Sequence, residues 1–351
     1  MFETINPEQL FDDFTRLKIL IIGDVMTDVY LWGKVRRISP EAPVPVVSDI
    51  FEERRLGGAA NVALNIKAMG AVPILCSVIG QDMRSQVFLE LLNGQNLSDI
   101  GIIVDKDRIT TQKTRIISGN QHLLRVDEEI DHPVSKASEA KMIAFAANFI
   151  KQKKIDAIIF QDYDKGVVTP ALIRKVTSLA REAGIPVLVD PKRRNFMEYK
   201  NATLFKPNFK ELSEGTKAEI SKSDLEGVAL AMEKLRESKS HEMVMVTLSE
   251  LGIMINDKDE YRHILAETRE IADVSGAGDT VISIAALCAA VKMNAVDIAV
   301  LSNLAGGQVC ERAGVVPVNR EQLLREALSI QAEESGGNGF SVNGSGSVSG
   351  A

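Results

Sequence analysis

Lys18-Ile19-Leu20-Ile21-Ile22-Gly23-Asp24 opens the pattern that decides the fold: a strand-forming run, apolar at every position after the lysine, stopped by a glycine and an acid. A run that is apolar at consecutive rather than alternate positions belongs to a strand covered on both faces. Similar runs recur at residues 72–78, 157–160, 186–189 and 243–248, and amphipathic helical patterns lie between several of them, at 61–69, 170–183 and 225–238. Buried strands alternating with helices predict an α/β domain with a doubly wound, mostly parallel sheet. Ligands in such sheets bind outside the carboxyl ends of the strands. Asp24 and Asp28, just past the first run, are therefore candidate ligand-binding residues.

Two segments break the rhythm. Residues 30–53 carry Trp32, several charges and the proline-rich Ser39-Pro40-Glu41-Ala42-Pro43-Val44-Pro45, and residues 100–126 are rich in Thr and Ile, with Gly119-Asn120 as a turn signal. Both read as β segments inserted beside the main sheet. They predict a small β lid over its carboxyl edge, built from about 29–55 and 99–127, because loops this long are uncommon unless functional. The domain is expected to span 1–335. Residues 336–351, rich in Gly, Ser and Asn, are expected to be a disordered tail outside the fold.

The whole chain, 351 residues, is 45% hydrophobic and 25% charged, enough to bury a large core. Its formal charge of -7 argues against a nucleic-acid partner, since phosphate-backbone binders carry a basic excess. Cys76, Cys288 and Cys310 lie far apart in apolar stretches and read as buried thiols of a reducing compartment. The four histidines form no metal-binding pattern. A start without a basic and apolar leader, and no apolar run of spanning length, make the expected location cytoplasmic and the membrane an unexpected partner.

The most informative stretch is Ile271-Ala272-Asp273-Val274-Ser275-Gly276-Ala277-Gly278-Asp279-Thr280, which opens an apolar helical run. Small residues at a helix start let backbone N–H groups converge on a phosphate, with the helix dipole in support. Gly276, Ala277 and Gly278 could thus stabilise the charge of a phosphoryl group in transfer, and Asp279 in the first turn could take a hydroxyl proton. Alone, the stretch is also what an ordinary glycine loop with a capping aspartate presents. Leu56-Gly57-Gly58-Ala59-Ala60-Asn61 is a second constellation. Gly57 and Gly58 permit close backbone approach, and Asn61 could bond sugar hydroxyls; a helix start with a packing glycine pair would look the same. The chain has no GxxxxGK[ST], no GxGxxG and no protein-kinase motif set, which argues against a P-loop enzyme and a dehydrogenase.

Together, Gly57 to Asn61 and Asp273 to Asp279 resemble the two signatures of the ribokinase-like (PfkB) carbohydrate kinases, in the right order, across residues 17–317. The resemblance implies in-line transfer of the ATP γ-phosphoryl group to a sugar hydroxyl, with Asp279 as base. Lys206-Pro207-Asn208-Phe209-Lys210-Glu211 looks like the family's NxxE segment, which implies that Asn208 and Glu211 serve Mg²⁺ through phosphates or water. Phe209 and Lys210 then fall beside ATP, as does Lys192. Thr247-Leu248-Ser249-Glu250-Leu251-Gly252 matches the stretch bordering the nucleotide, with Ser249 where glycine is usual; Asn303 and Gly306 fall where the family closes its adenine pocket. The resemblance also implies a homodimer formed through the β lid and leaves a monovalent cation open.

Gly23 to Asp28, Ser39 to Pro45, Leu123-Leu124-Arg125-Val126-Asp127 and Asp162-Tyr163-Asp164-Lys165-Gly166 resemble the branch of that family acting on a heptose 7-phosphate on the route to lipopolysaccharide core. In many members of that branch a nucleotidyltransferase is fused to the kinase; this chain is expected to be the kinase standing alone. The resemblance makes Arg125, Asp127, Asp164 and Lys165 substrate-binding candidates. Arg193 and Arg194 read as solvated charges. The rival expectations are a relative acting on fructose phosphate, ribose or a nucleoside, and a non-catalytic sugar- or nucleotide-binding regulator, against which intact Asp279, Asn208 and Glu211 speak.

Overall fold

A computed structural model describes residues 6–119, 121–258, 260–335 and 342–347. Along the chain its strands are β1 (Lys18–Gly23), β2 (Val25–Ile38), β3 (Pro45–Gly58), β4 (Val72–Ile79), β5 (Gly101–Val104), β6 (Gln112–Ser118), β7 (Gln121–Glu128), β8 (Ala157–Gln161), β9 (Val187–Asp190), β10 (Leu204–Phe205), β11 (Met243–Thr247), β12 (Ile253–Asp257), β13 (Glu260–Ile264) and β14 (Val342–Ser347). The large sheet runs β5-β4-β1-β8-β9-β10-β11-β12-β13-β14; it is parallel from β5 through β11 and antiparallel beyond.

β1 shows why its sequence is apolar throughout. Ile19 and Ile21 enter the core shared with helices Ala59–Ala68, Ala277–Ala290 and Ala295–Cys310. Leu20 and Ile22 enter the opposite core, with helices Lys136–Lys151, Pro170–Ala183 and Leu225–Lys239. All four side chains are fully buried, each contributing roughly 1.5–3 kcal/mol of transfer free energy.

The second sheet, β3-β2-β6-β7, is the expected lid. β2 and β3 pair antiparallel from Val25↔Gly58 out to Ile38↔Pro45, so the lid is rooted nearer the main sheet than 29–55. β6 adds parallel to β2, and β7 folds back on β6 through a turn in which Gly119 has φ +59°. The expected second lid segment is divided. Gly101–Val104 instead extends the main sheet as β5, where a Cβ at Gly101 would lie 2.2 Å from the Leu75 carbonyl, so glycine permits the approach to β4. The tail also departs from expectation: residues 342–347 pair with β13, an edge strand whose free backbone groups template such an addition. The remainder of the expected disordered tail, 336–341 and 348–351, lies outside the described residues. The three cysteines are buried and unbridged, and burial pushes the Cys76 thiol up to about 12.

Candidate active site

Register brings the chemistry to one edge. Gly23↔Gln161 and Gln161↔Asp190 align the carboxyl ends of β1, β8 and β9, with Lys206 just past β10. Asp279 comes to this edge on the helix Ala277–Ala290. Gly276, the N-cap at φ +85°, gives the sharp entry that a side-chain-bearing residue resists. Asp273 braces the approach, its carboxylate accepting from the N–H groups of Ser275 and Gly314 at 2.9 Å each. The Ala277 N–H turns to the Val274 carbonyl at 3.3 Å. The N–H groups of Gly278 and Asp279, in the first turn, have no acceptor within their helix, which is what an incoming phosphate requires.

Asp279 is 4% exposed and held by three donors. The Tyr163 hydroxyl and Gln161 Nε2 donate to its Oδ1 at 2.6 and 3.0 Å, and Asn61 Nδ2 donates to Oδ2 at 2.8 Å. Burial raises its pKa to about 6; the Asn61 and Tyr163 bonds and Lys206 oppose the rise and Asp190 adds to it. A carboxylate poised there is ionised at neutral pH yet basic enough to take a proton. Asn61, expected at the sugar, here donates to the base. The helix that carries it grips the catalytic helix again through Asn65, whose Oδ1 accepts from the Thr280 hydroxyl at 3.1 Å.

On the expected nucleotide side, Asn208 and Glu211 form a capping box on the helix Phe209–Thr216, each side chain accepting from the other's backbone N–H at 2.8 Å. The other Glu211 oxygen pairs with Lys192, whose ammonium lies 5.5 Å from the Tyr163 ring centre. Burial lowers the Lys192 pKa, but Asp190, Glu211 and Asp279 outweigh it and raise the group above its ordinary value. Asp190 pairs with Lys206 at 3.0 Å, and both groups lie just under 4 Å from where a Gly278 Cβ would stand. Thr247 bridges to Asn208. Ser249 sits at φ +54°, which explains why glycine suits that position, and a Cβ on Gly252 would meet the Ile264 carbonyl at 2.1 Å. Asn303 bonds the Leu265 carbonyl at 2.8 Å, and Gly306 allows its helix to lie against Val281. Phe209 packs toward the core, whereas Lys210 is largely solvated and lies 3.8 Å from Glu214.

On the acceptor side the residues divide. Asp24 accepts from the N–H groups of Tyr163, Lys165 and Val167 at 2.7, 3.3 and 3.0 Å, so its carboxylate fixes the loop after β8. Asp164, at φ +58°, likewise accepts from the Arg194 N–H. Arg194 is not simply solvated, since it also pairs with Asp131 at 3.0 Å. Asp28 lies on the inner lid face, its Oδ2 only 2.1 Å from where a Gly57 Cβ would stand, while a Gly58 Cβ would meet the Asp24 carbonyl at 2.4 Å. Lys165 pairs with Glu129 at 2.6 Å, Lys113 lies 3.5 Å from Asp127, and Arg125 reaches Asp127 at 3.0 Å from a mostly exposed position.

Sequence reasoning missed Tyr163, Gln161 and Arg115. Arg115 pairs with the buried Asp28 and lies 5.3 Å from the Tyr30 ring centre. Alternation in Lys113-Thr114-Arg115 would have placed its two cations on one lid face. Two surface grooves, one along the helix Pro170–Ala183 and one under the amino ends of β8, β10 and β11, lie away from this cluster; side-chain convergence marks the site instead. Among the described residues, no group of three or more His, Cys, Asp or Glu is placed to hold a metal ion, and no helix is long and apolar enough to cross a membrane.

Residues 16–322 match the pfkB family carbohydrate kinase profile. The bifunctional protein HldE of Geobacter metallireducens is 37% identical over 323 residues, which are 92% of this chain and 65% of that protein. Phosphofructokinase-2 from Escherichia coli, solved in complex with potassium, superposes with a TM-score of 0.73 at 18% identity, covering 90% of this chain and 99% of that one. A ribokinase-type structure from Agrobacterium tumefaciens superposes with a TM-score of 0.70 at 19% identity, again covering 90% and 99%.

Proposed function

The chain belongs to the pfkB family of carbohydrate kinases, and on that premise we propose that it phosphorylates the anomeric hydroxyl of D-glycero-D-manno-heptose 7-phosphate from ATP, giving the 1,7-bisphosphate. The observation that carries phosphoryl transfer is Asp279: a buried carboxylate at a helix N-terminus, with a pKa raised to about 6 and with first-turn N–H groups beside it. The heptose assignment draws its support from the 37% identity with HldE and from the segments 39–45, 123–127 and 162–166. The cations Lys113, Arg115, Arg125 and Lys165 at the lid suit an acceptor that already carries a phosphate.

ATP would lie along the Lys192, Asn208 and Thr247 side, with Asn303 and Gly306 toward the base. Mg²⁺ fits the donor set in the usual manner for this ion, bound mainly by substrate phosphates and water, with Glu211 and Asp190 as the nearby carboxylates. When bound, it would neutralise charge on the β- and γ-phosphates. The exposed Ile38, Ile50, Phe51, Leu124 and Val126 of the lid suit a homodimer formed through it. The proposed setting is the cytoplasm, on the route to lipopolysaccharide core.

A panel of acceptors with ATP, followed by ADP release, tests the reading. Heptose 7-phosphate should exceed the unphosphorylated heptose in kcat/KM by at least about thirtyfold, the equivalent of the ~2 kcal/mol that a desolvated phosphate–cation pair is worth at minimum. Equal or better turnover of fructose 6-phosphate or ribose would refute the heptose assignment and leave a sugar kinase.

A further inference from the structure

Among the described residues, Tyr163 and Gln161 both donate to Asp279 Oδ1, at 2.6 and 3.0 Å, and Asn61 donates to Oδ2 at 2.8 Å. Each oxygen of an ionised carboxylate offers two lone-pair directions. Oδ1 is therefore saturated, and Oδ2 keeps one direction open. We propose that Tyr163 is a positioning residue for phosphoryl transfer: with Gln161 it fills Oδ1 and so assigns proton abstraction to the open lone pair of Oδ2. The inference rests on Asp279 being the base. In the step so directed, the acceptor oxygen bonds the γ-phosphorus as ADP departs, and the acceptor's proton passes to Oδ2.

The position of Tyr163 is built rather than incidental. Its backbone N–H is held by Asp24 at 2.7 Å, and the Lys192 ammonium lies 5.5 Å from its ring centre. The loop turns back at Gly166, φ +82°, where a Cβ would stand 2.0 Å from the His132 carbonyl. Burial, and then the charges of Asp279 and Asp190, raise the phenol well above its ordinary pKa, so the hydroxyl remains a donor throughout the working range. The charged groups facing Asp279 from neighbouring elements are Asp190, Lys192 and Lys206, with Asp28 acting on the phenol from the lid. All of them stay in place when only the hydroxyl is removed.

The test is Tyr163→Phe in the full chain, with kcat and KM measured from pH 5 to 9 on the acceptor that the wild type uses best. The lost bond favoured the ionised carboxylate, so the acid limb of kcat should move up by about one pH unit. kcat at neutral pH should fall about tenfold while KM for ATP holds within about twofold, because orientation and not binding is lost. Gln161→Met removes the other donor on Oδ1 and should move the limb in the same direction, which keeps the idea testable if the tyrosine variant folds poorly. Acid limbs that coincide with the wild type's in both variants would overturn the role given to Tyr163. A wild type without an acid limb near pH 6 would overturn, instead, the assignment of Asp279 as base.

Discussion

Asp279→Asn separates the cost of burying the base from its use. The carboxyl is 4% exposed, and burial moves its pKa from 3.8 to about 6. A group whose pKa is raised by folding contributes stability that is fully present below its unfolded value and lost as pH rises through the folded one. Relative to acid conditions, the ionised carboxylate above pH 6 therefore costs about two pH units, or about 3 kcal/mol at ~1.36 kcal/mol per unit. Asparagine has the same shape and no charge. Its carbonyl can take the Tyr163 and Gln161 donors, and its amide can meet Asn61 once that side chain is turned over, at some cost in geometry. The variant should be more stable than the wild type at pH 8 by about 1–3 kcal/mol, with the advantage shrinking toward pH 4. Its kcat should fall by roughly two to four decades. Urea unfolding at several pH values and steady-state ADP release measure the two effects. A variant less stable than the wild type at pH 8, or a well-folded one within tenfold of wild-type kcat, would refute the reasoning.

Arg115→Met would leave the Asp28 carboxylate, 5% exposed, without its partner, at a cost of about 3–5 kcal/mol, and should raise KM for the sugar well above any change in KM for ATP. Unfolding curves and separate substrate titrations check it, and unchanged stability would mean that Asp28 rehydrates. Ser249→Gly should stabilise the chain by up to about 1 kcal/mol, because φ +54° costs serine what glycine adopts freely; a lower melting temperature would show that the Ser249 side chain matters more than its backbone.

Local signals were the readable ones. The apolar run of β1, the Gly276 entry to a helix and the Asn208–Glu211 spacing each act within a few residues, and the structure gives them a buried strand, a helix N-cap and a capping box. The cradle of Asp279 was hidden because its donors lie 116, 118 and 218 positions away, brought together by strand register and helix packing. The second task of Asp24 was hidden for a related reason: an acid past a strand suits a ligand, but it equally suits the bare N–H groups of a neighbouring loop, and here three of them bond it. β5 was misassigned because four β-branched or small residues fit either sheet, and only the close approach of Gly101 to Leu75 decides between them.

The β2–β3 hairpin leaves the main domain at Val25 and returns at Gly58, its direct partner, with the Ala59 N–H closed onto the Asp24 carbonyl at 2.9 Å. Entry and exit thus share one point, which is the architecture that tolerates insertion and exchange of a whole segment. Beyond Trp32 and Phe51 the hairpin is largely exposed. The outer half of the hairpin can therefore vary in length and sequence as a separable module, while its root at Val25 to Tyr30 and Arg55 to Gly58 stays tied to the main domain.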